Sequence, residues 1–555
     1  MKSYITLAFH IYYKMVRRYL FILILLASCP GLIQSSRSQQ NHGDLKFSIS
    51  FEKDIHPETL TGRVYLMISK DDRRPPKDQV GLSGVPFWGM NVYNLNPGEE
   101  AVLSDTVFGY PLESIRDIPP GEYYVQAFIN IYTEFNRSDG HTLWMHKDNW
   151  EGQSWRRGEG NMYSEVKKVY IDPSNDRTFK LVCNQANPPV DIPSDTKMVK
   201  YIRIKSDMLS DFWGQPMYLG AVVLLPKGYD ENPDMLYPVN YQHGHFSLRV
   251  PFGFNDPEKA DGSSRRYGQE FTDFWISDEC PKMLAVKILH PCPYYDDSYA
   301  VNSPNVGPYD DAINQELIPY LEKKFRIIRE AYARILSGGS TGGWIALAQQ
   351  IFHPDFYGGV FSLCSDPVDF HYYQIVNIYD DDNAYYTGNE WHRIERPNTR
   401  STDGNIRSTM KMENHYELVV GDKNRSGGQW DIWEAAYSPI GPDGYPMRVW
   451  DKRTGEIDHE VAEQWKKYDL HEYLKNNWKD IGDDLKGKLF IYTGDMDSFY
   501  LNNAMELLEG FLESTTDPYF DGVVEYGRKQ PHCYGPRGIE LVKKIDGQIN
   551  NNKMN

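Results

Sequence analysis

Residues 335–348, reading I-L-S-G-G-S-T-G-G-W-I-A-L-A, hold the side chains best placed by type and spacing to do chemistry. An apolar run closes on Gly338-Gly339-Ser340-Thr341-Gly342, a G-x-S-x-G pattern, and an Ala-rich apolar segment follows at once. That order is strand, sharp turn, helix. A serine hydroxyl is a weak nucleophile, so it must stand clear of the backbone, reach a base and face donors for the oxyanion that forms. Glycines on both sides tolerate the turn and let strand and helix pack closely. The Thr341 N–H would open the helix and point into the same space, where a helix N-terminus favours developing negative charge. The pentapeptide alone is common in Gly-rich loops; its strand-to-helix setting makes Ser340 the candidate nucleophile and Thr341 a candidate oxyanion donor.

A turn of this kind has to be held by a sheet. Residues 219–225 read as a strand ending in Pro226-Lys227-Gly228, residues 237–242 as another ending at His243-Gly244-His245, and residues 283–289 as a third. Between positions 310 and 326, Ile313, Leu317, Leu321 and Phe325 fall four apart, the stripe of an amphipathic helix leading into the Ser340 strand. Alternating strands and helices predict an α/β fold with a mostly parallel central sheet covered on both faces, and its chemistry at the strands' C-terminal ends.

Y-P-V-N-Y-Q-H-G from 237, S-Y-A-V-N-S-P-N-V-G-P-Y-D-D-A-I from 298, E-L-I-P-Y-L-E-K-K-F-R from 316 and G-G-S-T-G-G-W from 338 together resemble an esterase group of α/β-hydrolases. That group includes esterase D, feruloyl esterases and enterochelin esterases. The resemblance spans residues 218–366 and 488–545. It implies an α/β-hydrolase fold, a Ser–Asp–His triad and ester hydrolysis through an acyl-enzyme. It leaves the substrate open, because members of the group act on very different esters. The chain departs from the group's smaller members by an N-terminal β domain and by an insertion at 366–487.

In this fold the acid and the histidine follow the serine in that order. Residues 489–492 read as a strand and Thr493-Gly494-Asp495-Met496-Asp497 as the loop at its end. A carboxylate there can accept the imidazole Nδ1–H and hold the ring in the productive tautomer. Asp497 fits the group's G-x-x-D spacing, with Asp495 as the alternative. Residues 523–526 read as the next strand, and the loop Gln530-Pro531-His532-Cys533 makes His532 the candidate base. A second oxyanion N–H is expected after the third strand, from His245 or else Gly244. His243 and His245 could instead be metal ligands two apart, but no carboxylate or cysteine cluster accompanies them in sequence. No metal or cofactor is called for.

The domain expectation is a leader at 1–43, an all-β domain at 44–187, a Pro-rich linker at 188–196 and the hydrolase at 197–555, with the 366–487 insertion covering the nucleophile and shaping substrate choice. In the β domain Val64, Leu66 and Ile68 alternate, as do Tyr123, Val125, Ala127 and Ile129 after the turn at Pro119-Pro120-Gly121, and several such strands suggest a sandwich. Trp144, Trp150 and Trp155 read as buried packing more readily than as a glycan patch. Asp380-Asp381-Asp382-Asn383 reads as a solvated acidic loop, since EF-hand spacing is absent.

Arg17-Arg18 before an apolar run that is too short to span a bilayer predicts export. Leu26-Ala27-Ser28-Cys29 resembles a bacterial lipobox, so Cys29 would be a lipid anchor and the only membrane link; Pro30 keeps ordinary cleavage open. The expected place is the periplasm, the outer membrane or outside a bacterial cell. Cys183, Cys280, Cys292, Cys364 and Cys533 lie beyond the signal at no metal-like spacing, which suggests one or two disulfides, with Cys280–Cys292 the first expectation.

A formal net charge of −18 argues against nucleic acid or an anionic membrane surface as the main partner, and favours a neutral or cationic ligand or a sugar. The chain therefore reads as an exported serine esterase acting on an ester substrate such as an acylated glycan. A serine peptidase or acyltransferase on the same scaffold, and a non-catalytic glycan-binding surface protein, are the competing readings.

Overall fold

The computed structural model describes residues 43–259, 268–389 and 391–554. The leader and Cys29 lie outside the described residues. No helix among the described residues is long and apolar enough to cross a membrane.

Residues 45–186 build a nine-stranded sheet. Leu60–Ser69 lies between Phe87–Leu95 and Gly121–Ile131, antiparallel to both, while Leu45–Phe51 runs parallel to Arg177–Ala186. The period-two pattern sends Val64, Leu66 and Ile68 into one core with Val125, Ala127 and Ile129. Hydrogen bonding runs unbroken through one sheet, where the sequence suggested the two sheets of a sandwich. Tyr65 and Met67, on the opposite side of the same strand, pack with Trp155, Val419 and Val420, so the segment at 366–487 reaches that face of the sheet.

The second large sheet has eight strands: β1 (Val199–Ser206), β2 (Met217–Leu224), β3 (Val239–His243), β4 (Leu284–Leu289), β5 (Arg334–Gly339), β6 (Gly359–Leu363), β7 (Leu489–Gly494) and β8 (Val523–Gly527). Their spatial order is β1-β2-β4-β3-β5-β6-β7-β8. β1 is antiparallel to β2 and β2 to β4; from β4 to β8 every pairing is parallel. The sheet is thus partly antiparallel at one side. The inner strands β4 and β6 are apolar runs buried along most of their length because both faces are covered. Helices α1 (Thr341–Phe352) and α4 (Leu501–Ser514) pack into one core, and α5 (Gly538–Met554), with Gln269–Trp275, into another. Between them in the chain, α2 (Met410–Val420) and α3 (Gln429–Tyr437) belong to the insertion.

The stripe Ile313, Leu317, Leu321 and Phe325 is buried. Its helix changes pitch at Ile313–Leu317 and ends at Lys324, leaving Phe325 extended. Pro319 has no N–H to give the preceding turn, which accounts for the wider turn there.

The insertion shares the core of the eight-stranded sheet instead of lying over it as a separate flap. Trp430, Trp433, Trp450 and Trp465 are buried in the cluster that also contains Trp344 of α1. The acidic loop at 380–383 is structural, with Asp381 paired to Arg396 at 2.8 Å and Asn383 Oδ1 accepting the Tyr385 N–H.

Candidate active site

Ser340 stands at φ 58°, ψ −127°, between the end of β5 and the first residue of α1. A non-glycine residue occupies this region only where its surroundings hold it. Here the Ser340 N–H donates to Leu363 O at 3.0 Å, and Ser340 O accepts from Gly343 and Trp344. Gly342 makes the approach possible: a Cβ there would lie 2.1 Å from His243 O, so any larger residue would push α1 off β3.

Asp497 and His532 come from loops after β7 and β8. The Asp497 carboxylate is fully buried and held at both oxygens. Oδ1 accepts the N–H groups of Phe499 and Leu501 at 2.8 and 3.3 Å, and Oδ2 accepts Nδ1–H of His532 at 2.7 Å. Asp495 is occupied elsewhere, its Oδ1 accepting the Lys529 N–H at 2.5 Å. Gly494 lets the two loops meet, because a Cβ there would sit 2.3 Å from Gln530 O and 2.4 Å from Pro531 O. The ring edge of Phe499 packs on His532 at 4.9 Å between centroids.

Cys364, just past β6, is disulfide-bonded to Cys533, so the His532 loop is tied to the strand beside that of Ser340. This corrects the expected Cys280–Cys292 pairing: both of those thiols are free and buried. They lie in different cores, Cys280 with Trp275 and Cys292 with Tyr309, and cannot meet.

The Ser340 hydroxyl lies 3.5 Å from Asp366 Oδ1 and makes no hydrogen bond to His532 among the described residues. In the sequence Asp366 marks only the start of the insertion. In the structure it is a buried carboxylate beside Ser340, accepting hydrogen bonds from Tyr299 at 2.5 Å and Thr341 Oγ1 at 3.0 Å. Burial raises its pKa; the Tyr299 hydrogen bond and the nearby His532 oppose that in part. Gln429 of α3 completes the group, with Nε2 donating to Tyr299 and, at 3.3 Å, to Asp366, while Oε1 accepts from Tyr295 at 2.6 Å. Sequence reasoning missed Asp366, Tyr299 and Gln429. Asp366 could have been found from its position past the C-terminal end of β6, where such sheets carry chemistry; Gln429 had no such signal.

The Thr341 and His245 N–H groups donate to no protein acceptor among the described residues. The His245 ring lies 3.1 Å from Asp296 and 3.6 Å from Asp297. Burial opposes its charge, but the Asp296 hydrogen bond and the charges of Asp296, Asp297 and Asp366 outweigh it and lift the ring to about 9. His245 is therefore a cation at neutral pH. His243 is its opposite, buried against His290 and pushed well below the usual histidine range by burial. Residues two apart in an extended strand share a face, but the turn at Gly244, φ 156°, separates these two rings. They do not converge as metal ligands. His245, Asp296 and Asp297 do bring three donor atoms within 4.8 Å of one another, in the arrangement of an ion pair.

Residues 291–424 match the model of the family described as Putative esterase. The match takes in the Ser340 turn and runs on past Asp366 through α2, so it includes part of what the sequence sets apart as an insertion. No curated protein sequence matches the chain. Among solved structures, a ferulic acid esterase is similar at 15% identity and TM-score 0.34, covering 64% of this chain and 98% of its own. An S-formylglutathione hydrolase from Agrobacterium tumefaciens aligns at 12% identity and TM-score 0.33, covering 65% and 96%. A ferulic acid esterase from Anaeromyces mucronatus aligns at 15% and 0.27, covering 64% and 97%. The family match supports an esterase.

Proposed function

We propose that the chain is an exported serine esterase that hydrolyses carboxylic esters with Ser340 as nucleophile, His532 as general base and Asp497 as its partner. The observation that carries this reading is the strained Ser340 turn at the mouth of α1, facing loops that present a buried, fully bonded Asp497–His532 pair. For catalysis the Ser340 hydroxyl rotates from Asp366 toward His532 Nε2. Its oxygen bonds to the ester carbonyl carbon while its proton passes to Nε2. The oxyanion is met by the Thr341 N–H, with His245 or Gly244 as the second donor. Collapse breaks the C–O bond to the alcohol, which leaves with the proton from Nε2. Water then repeats the sequence on the acyl-enzyme, releasing the acid and restoring Ser340. Asp497 keeps the proton on Nδ1 and stabilises the imidazolium without taking that proton itself.

An acylated polysaccharide is the proposed substrate class, consistent with a leader that would export the chain. The test is a panel of p-nitrophenyl and feruloyl esters, with peptides as controls. Ser340→Ala should lower ester turnover by at least about 10³-fold with an unchanged melting temperature, since the neighbouring backbone supplies the turn. Wild-type turnover in purified Ser340→Ala would overturn the assignment.

A further inference from the structure

Next to the candidate oxyanion loop lies a cavity of about 1140 Å³ between the β domain and the hydrolase. One wall is the segment 246–249, which directly follows His243-Gly244-His245; the opposite wall is 154–157 and the linker 187–193. Three guanidinium groups line it, those of Arg156, Arg157 and Arg249. Arg156 donates to Val80 O and Arg157 to Glu151 O, both backbone carbonyls. None of the three has a carboxylate partner among the described residues, in a chain with 77 acidic and 59 basic residues.

The carboxylates on the same walls, Asp78, Glu151 and Asp191, are one fewer than the cations Lys77, Arg156, Arg157 and Arg249, and none of them pairs with a guanidinium. Asp78 is paired with Lys77 at 3.3 Å, and Glu151 is held by His146 Nε2 and the Asn149 N–H, each at 2.7 Å. Only Asp191 remains. Lys287, which donates to Arg249 O at 2.7 Å, is pushed down to about 8, by burial first and by Arg249 second. Unpaired guanidinium forks in a concave site are suited to planar carboxylates and to sulfate oxygens, and local fields in a cleft count for more than the net charge of the whole molecule.

We propose that this cavity binds an acidic glycan, a chain of sugars bearing carboxylate or sulfate groups, and leads it toward Ser340. The binding stands on the cavity alone; its purpose rests on the esterase reading. The general charge of the molecule pointed to a neutral or cationic ligand, and this cavity reverses that locally.

Titration calorimetry at 20 and 150 mM NaCl with oligogalacturonate, a sulfated galactan oligosaccharide and a neutral xylo-oligosaccharide tests it. One of the two anionic ligands should bind at least about tenfold more tightly than the neutral one, with affinity falling as salt rises. Which of them binds distinguishes carboxylate from sulfate. Arg156→Gln/Arg157→Gln/Arg249→Gln should lose that preference while keeping wild-type turnover of p-nitrophenyl acetate. Because the Arg249 guanidinium has no carboxylate partner to lose, Arg249→Gln alone should fold normally and weaken binding several-fold. Equal affinity for neutral and acidic chains, or unchanged binding in the triple variant at unchanged melting temperature, would overturn the proposal. A wild-type protein that binds the acidic chain but cleaves no ester would instead overturn the esterase reading and leave the cavity's assignment standing.

Discussion

At the scale of single residues, the two carboxylates of the β7 loop differ by what holds them. Asp497 is buried and bridges His532 to the N–H groups that open α4, whereas Asp495 only ties down Lys529. Asp497→Asn should therefore lower kcat by about 10⁴-fold by favouring the wrong imidazole tautomer, and Asp495→Asn by less than about tenfold. Comparable losses in both would move the acid. Asp366 makes a separate prediction, about stability. Its raised pKa means that the folded chain keeps a proton there in a pH interval where the unfolded chain has lost it. Stability must therefore fall as pH rises through that interval, upward from the ordinary value of 3.8. The steepest slope one such group can give is about 1.4 kcal/mol for each step of one in pH. Asp366→Asn can still accept from Tyr299 and Thr341 but cannot ionise, so its melting temperature should be flatter across the same range. Parallel curves for wild type and variant between pH 4 and 7 would refute this. Ser340, Asp497 and His532 could be singled out as candidates from sequence because each follows a strand in the chain. Asp366 could not be assigned a role, since its importance comes from Tyr299 and Gln429, which lie 67 and 63 positions away.

At the scale of elements, strands and helices were legible where one periodicity ruled. β3, β5 and β7 are short, largely buried strands ended by glycine or histidine, and α1 follows its turn directly. What escaped was partnership across elements. Cysteine spacing suggested the near pair Cys280 and Cys292, but β4 runs between them and places them in different cores. The bond that forms, Cys364–Cys533, spans 169 residues and joins β6 to the His532 loop. Crosslinking so long a segment restricts the unfolded chain strongly, so Cys533→Ser should cost about 2–4 kcal/mol. It should also lower kcat on every ester, since the loop that carries His532 loses its tether. Cys280→Ser and Cys292→Ser serve as controls for thiol removal, expected to leave kcat unchanged. If Cys533→Ser loses stability without any change in kcat, the bond is a structural staple only.

At the scale of the whole molecule, the β domain is coupled to the site through the insertion. Arg63, buried in the Leu60–Ser69 strand, donates to Val419 O at 2.9 and 3.0 Å and to Leu418 O at 3.3 Å, at the end of α2. Tyr65 of the same strand donates to Val420 O at 2.5 Å. One helix face further on, Glu417 of α2 accepts the N–H groups of Trp430 and Asp431, which satisfies donors at the start of α3 and sets where Gln429 sits. Gln429 in turn binds Tyr299 and Asp366 beside Ser340. None of this could be read from sequence, because Arg63 and Val419 are 356 positions apart and neither belongs to a motif. The path predicts that Arg63→Ala, which strands several buried carbonyls, destabilises the protein by about 2–4 kcal/mol. Loosening α2 should also disturb Gln429 while leaving the Ser340 turn and the Asp497–His532 pair in place. Turnover of p-nitrophenyl acetate, which needs little of the pocket, should then stay within about twofold of wild type, whereas KM for a bulky feruloyl ester should rise several-fold. Differential scanning calorimetry and the two esters assayed side by side decide it. A stability loss with equal effects on both esters would confine Arg63 to holding the domains together, and wild-type values for all three quantities would remove the coupling altogether.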